Sequence, residues 1–173
     1  AQGFPTIDYL LYGLDDDPSK VINQLRDNIK NRDYLKTIIG ALVSNTKAVK
    51  EDWVQMKEEF VKSTENTASS NLNMMVNDFI YYFEKGFRAN KFGIPSGVFS
   101  STALPDRVEG YYSKIFSKEI AMEAMTSIKN FFNGISFDNK EVTGQCLKYY
   151  LNYIESGKDN LLSDQINEKL NIA

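Results

Sequence analysis

Apolar residues recur along this chain at steps of three and four, the spacing that gathers them on one face of an α-helix. The longest run is Leu35, Ile39, Leu42, Thr46, Val49, Trp53, Met56 and Phe60, alternating four and three over about 26 residues. It predicts a helix from near Asp33 to Lys62, on the order of 45 Å long at about 1.5 Å per residue, with Trp53 and Met56 filling a core seam. A second run, Leu72, Met75, Val76, Phe79, Ile80, Phe83 and Phe87, makes a wide apolar face. Ala121, Ala124, Met125, Ile128, Phe131 and Phe132 form a third stripe, closed by Asn133-Gly134. Val142, Cys146, Leu147, Tyr150 and Ile154 face inward on a fourth, for which Asp138 and Glu141 resemble a capping box. A last helix near Asn160 to Leu170 carries Leu162, Ile166 and Leu170. Few segments alternate with the period of two that marks a strand, so the expected fold is all-α, an elongated helical bundle.

The punctuation agrees with these elements. Phe4, Ile7, Leu11 and Leu14 form a short opening stripe that Pro5 can start and Gly13 can end. Asp17 and Pro18 read as N-cap and first helical residue. Asp15 to Asp17 lack the alternating ligands, central glycine and distal glutamate of an EF-hand, so capping accounts for them better than a metal loop. Ser63 to Ser70 is a polar linker. Lys91 to Gly97 terminates the second helix, and a loop of about a dozen residues, long for a bundle, runs to a new helical turn at Pro105. That turn carries Asp106, Arg107 and Glu109, followed by Tyr111 and Tyr112.

Length and charge narrow the function. At 173 residues the chain is expected to form one domain over 1–173 and can bury a core without staples. Its 20 basic and 23 acidic residues are interspersed, and the net charge of −3 argues against nucleic-acid binding. No stretch approaches a membrane span. The opening Ala1-Gln2 carries no signal-like segment and no start methionine, as expected of a mature or trimmed piece. Cys146 is the only cysteine, which excludes an internal disulfide; on its helical stripe it reads as a core residue. There is no histidine.

Two acids invite a chemical reading. Asp8 lies beside the opening stripe, one turn after Phe4 and before Tyr12; it is either a ligand or base near a buried site or an acid favoured by the helix dipole. Glu84 stands four residues before Arg88, the spacing of a simple surface pair. No spacing requires a cofactor.

Three regions together resemble the imelysin-like family, also called the M75 peptidase family, over most of the chain. Gly3-Phe4-Pro5-Thr6-Ile7-Asp8-Tyr9-Leu10-Leu11-Tyr12-Gly13 is similar to the family's G-x-H-x-x-E element and its trailing apolar run. Phe79 to Gly97 carries Tyr82-Phe83-Glu84-Lys85 and Lys91-Phe92-Gly93-Ile94-Pro95-Ser96-Gly97. Pro105-Asp106-Arg107-Val108-Glu109-Gly110-Tyr111-Tyr112-Ser113 is the third.

The resemblance implies two related helical-bundle lobes, export to the periplasm or anchoring to the outer membrane as a lipoprotein, and an association with bacterial iron uptake. It further implies a leading segment of roughly a hundred residues, so that this chain corresponds to the C-terminal two-thirds of the complete domain; that segment is expected as a removed part, leaving exposed apolar stripes, or as a separate chain packed on this one.

At the family's histidine position stands Pro5, without a ring nitrogen, and at the glutamate position stands Asp8. A histidine-based zinc site cannot be assembled from this sequence. Carboxylates such as Asp8, Glu84 and Glu109 could bind a hard cation, including ferric iron with help from tyrosine, but no spacing demands it. The site expected from the resemblance comprises Gly3, Pro5, Asp8, Glu84, Lys91, Pro95, Arg107 and Glu109, with Asp8, the Lys91 to Gly97 loop and the Asp106 to Tyr112 turn converging. The expected function is non-catalytic binding of a ligand or of an envelope or iron-uptake partner protein. Its alternatives are an M75-type metallopeptidase with part of its site on the upstream segment, and a helical scaffold for another protein.

Overall fold

Capping residues set where the first helices begin. In the computed structural model, which describes residues 3–65, 67–159 and 161–173, α1 (Phe4–Tyr12) starts with Pro5 in its first turn. The second helix, α2 (Pro18–Asp27), is capped as its sequence predicts: Asp17 Oδ1 accepts the Ser19 N–H at 2.9 Å. Asn28 then caps α3 (Ile29–Lys62) by accepting from Lys30 and Asn31, which moves the start of the long helix four residues before Asp33. After α4 (Asn71–Tyr81) the chain continues without a break as a π-helix, Tyr82–Gly93. A single 3₁₀ turn spans Pro105–Arg107, and α5 (Phe116–Asn133), α6 (Leu147–Ile154) and α7 (Leu162–Ile172) complete the chain. The fold is all-α: among the described residues the only β pairing is an isolated antiparallel bridge between Ile135 and Thr143.

The chain divides into two compact units, Ala1–Ser117 and Lys118–Ala173. In the first, α1, α2 and α3 pack on one another, with Leu10, Val21 and Ile38 buried. Each contributes roughly 1.5–3 kcal/mol through removal of its apolar surface from water. Phe87 is the buried residue of the π-helix. In the second unit the core consists of Met125, Ile128, Phe132, Leu147 and Leu170. It also holds a polar pair, in which the Asn133 and Asn167 side-chain amides exchange hydrogen bonds of 2.9 and 3.0 Å, and a fully buried Ser163 whose hydroxyl meets Asn152.

Several expected faces are turned away from the core. In α1 the buried residues are Thr6 and Leu10, while Phe4 and Leu11 are exposed; the helix is rotated so that the side carrying Thr6 and Leu10 is covered. Trp53 and Met56 are not core fillers. Every residue from 43 to 59 is exposed, because α3 meets α1 and α2 only through its earlier turns. Ile80, Phe131 and Leu162 also lie outside the cores.

The expected helix with Val142 and Cys146 on its inner face is replaced by a turn. Ser136 N–H donates to Val142 O, Gly144 N–H donates to Gly134 O, and Asn139 Oδ1 takes the Glu141 N–H. Asp138 and Glu141 therefore form no capping box: the backbone groups that a helix would use are already paired across the bridge. The helix begins only at Leu147, with Cys146 extended and half-buried at its N-cap. Of the last expected helix, Asn160 lies outside the described residues, as does Asn66 of the Ser63 to Ser70 linker.

Candidate functional site

The Asp8 carboxylate is held by two backbone amides more than a hundred residues away. Its Oδ2 accepts the Tyr112 N–H and its Oδ1 accepts the Ser113 N–H, both at 3.0 Å. The Ser113 hydroxyl in turn donates to Gly110 O at 3.0 Å, closing the turn on itself, and Ser113 is buried. Aromatic contacts reinforce the junction. Tyr9 and Tyr112 pack edge to face with ring centroids 5.0 Å apart, and Tyr12 meets Phe116 at 6.1 Å. Gly13 makes room for them: a Cβ there would sit 2.5 Å from the Tyr112 ring and 2.7 Å from the Tyr9 ring.

Against this junction lies a cleft of about 500 Å³ formed by α1, the π-helix and the 106–112 turn. Pro5, Asp8, Lys91, Arg107 and Glu109 line it, so five of the expected residues come together. The Lys91 ammonium pairs with the Glu109 carboxylate; the lysine side chain is only 12% exposed, against 44% for the glutamate. Arg107 is exposed and lies 3.5 Å from Asp106.

The other expected residues are elsewhere. Glu84 binds Arg88, Oε2 accepting from Nε at 2.8 Å, the surface pair its spacing allows. Pro95 is in the following loop, where its carbonyl accepts the Leu104 N–H. Gly3 borders a separate hollow with Tyr34, Ile38 and Leu42.

Sequence reasoning missed Tyr82, Gly86 and Asn90, which also line the cleft. All three belong to the π-helix, whose i→i+5 bonding is completed by Ile94 N–H to Ala89 O at 2.8 Å. The available signal was the five-residue step from Phe87 to Phe92. Their rings meet edge to face at 5.2 Å, while Phe83 stacks on Phe87 at 6.0 Å. A run of steps of three and four suggests a uniform α-helix and hides this change of pitch.

The donor set does not fit a metal site of the kind the motif suggests. Pro5 offers no lone pair on its ring, and each Asp8 oxygen has one of its two acceptor sites taken by an N–H group. Among the described residues no three His, Cys, Asp or Glu side chains converge. The cleft instead offers tyrosine faces, backbone groups of the turn and the Lys91–Glu109 pair, an arrangement suited to holding a ligand.

No helix among the described residues is long and apolar enough to cross a membrane. No curated protein and no solved structure matches the chain. The family model described as Imelysin, peptidase M75, matches residues 1–173, and the chain belongs to that family.

Proposed function

We propose that this chain is a non-catalytic imelysin-family domain that binds a ligand or partner in the cleft between α1, the π-helix and the 106–112 turn. The observation that carries the reading is the pair of N–H bonds from Tyr112 and Ser113 to Asp8. A carboxylate with one N–H on each oxygen works as an anchor for the turn that walls the cleft. The cleft volume, about 500 Å³, falls within the range of small-molecule sites, roughly 300–1,000 Å³. The setting proposed with it is the one the family resemblance implies: the bacterial cell envelope, in the periplasm or as a lipoprotein, and iron acquisition.

A peptidase assay with added zinc tests this reading. The chain and its Asp8→Asn variant are expected to give the same background cleavage of an unstructured protein substrate. Zinc-dependent turnover in the unmodified chain that disappears in Asp8→Asn would overturn it in favour of a metallopeptidase.

A further inference from the structure

The exposed second half of α3 keeps a seam whose middle, Val49, Trp53 and Met56, no described residue of its own unit covers, while Leu42 and Phe60 at its ends are half-buried. Ile39, Thr46, Trp53 and Phe60 are spaced by seven, as are Leu42, Val49 and Met56, the a and d positions of three successive heptads. The face is continuous: the Trp53 and Phe60 rings, two turns apart, meet edge to face at 5.2 Å. It is also open to solvent, with Val49 69%, Trp53 50% and Met56 56% exposed.

The flanks of the seam have opposite charge. The e positions after Ile39 are Val43, Lys50 and Lys57, and the g positions are Asn45, Asp52 and Glu59. In a parallel pair of identical helices each g residue faces the e residue five positions later on the other strand, which sets Asp52 against Lys57 and Asn45 against Lys50, twice by symmetry. An antiparallel pair of the same helices would set lysines against lysines and acids against acids. From this asymmetry we infer that the exposed face of α3 is a self-association surface, on which a second copy of this chain lays its α3 in parallel register.

Sedimentation equilibrium of the full chain from about 1 to about 100 μM tests the inference. The expected species is a dimer. Asp52→Lys, which sets a lysine opposite Lys57 in both symmetry-related pairs, should weaken it about tenfold, and adding Lys57→Asp should restore it to within about threefold. Trp53→Gln, at an exposed helical position, should give a monomer with an unchanged helical circular dichroism spectrum. Orientation is read separately: Val49→Cys in a Cys146→Ser background should oxidise to a covalent dimer, since parallel d positions face each other.

A chain that stays monomeric across this range overturns self-pairing and leaves the face to another segment or partner. A dimer indifferent to both Asp52→Lys and Trp53→Gln overturns it too, by placing the interface elsewhere. A dimer without the Val49→Cys cross-link overturns the parallel arrangement.

Discussion

Asp8 accepts the backbone N–H of Ser113 at 3.0 Å while its second oxygen accepts that of Tyr112, so one carboxylate fastens the 106–113 turn to α1. An amide cannot do this, because it offers one acceptor oxygen and turns an NH₂ toward the other N–H. Asp8→Asn is therefore expected to reduce unfolding free energy by about 1–3 kcal/mol, the usual loss when a partly buried N–H is left without a partner. Urea titration followed by circular dichroism measures it. An unchanged midpoint would show that the turn holds without Asp8.

Two carboxylates in neighbouring segments should respond differently to neutralisation. Glu109 faces Lys91, whose side chain is 12% exposed, whereas Glu84 faces Arg88, which is 60% exposed. Glu109→Gln leaves a poorly hydrated ammonium without its counter-charge, with an expected loss of about 1–2 kcal/mol. Glu84→Gln removes an i,i+4 surface pair worth about 0.2–0.5 kcal/mol. Equal losses in chemical denaturation would contradict this ordering.

Gly97 and Gly40 make a matched pair for substitution by alanine. Gly97 has φ +83°, and a Cβ there would lie 2.4 Å from the Thr102 carbonyl oxygen, so Gly97→Ala should destabilise by about 2 kcal/mol or more. Gly40 lies inside α3 with no atom within 4 Å of a built Cβ, and Gly40→Ala should stabilise by roughly 0.5–1 kcal/mol. Thermal melts of the two variants should move in opposite directions.

In the second unit Glu155 governs the start of α7. Its Oε2 accepts the Leu162 N–H at 2.7 Å and its Oε1 accepts from Lys158 Nζ at 3.0 Å, and these contacts, the backbone bond first, hold its carboxyl below the usual carboxylate range. A carboxyl depressed in the folded state adds stability above its unfolded pKa, and that contribution fades as pH falls through the folded value. The stability advantage of the unmodified chain over Glu155→Gln should accordingly be present at neutral pH and vanish in acid. Urea titrations at a series of pH values check this; a difference that stays constant with pH would be inconsistent with the capping role.

Local signals read well wherever the backbone had a single local solution. Asp17-Pro18 starts α2, the Ala124, Met125, Ile128 and Phe132 positions form the inward side of α5, and Gly134, at φ +68°, follows its last residue. They failed where two solutions competed. The residues around Val142 carry helical spacing, yet the Ile135–Thr143 bridge satisfies the same N–H and C=O groups. In the π-helix the four-residue step from Phe83 to Phe87 suits an α-helix and the five-residue step from Phe87 to Phe92 suits the wider pitch, and the α spacing of the preceding residues masks the second signal.

The sequence by itself determined an all-α chain, its family, and a composition without histidine. Those properties depend on residue identity and on spacing along the chain. Only the tertiary structure decided that Asp8 anchors Tyr112 and Ser113, that Lys91 finds Glu109 rather than another acid, and that the Trp53 seam stays open. The physical reason is the same in each case. Periodicity fixes which residues share a face, whereas what that face meets depends on segments that folding brings together from far along the chain.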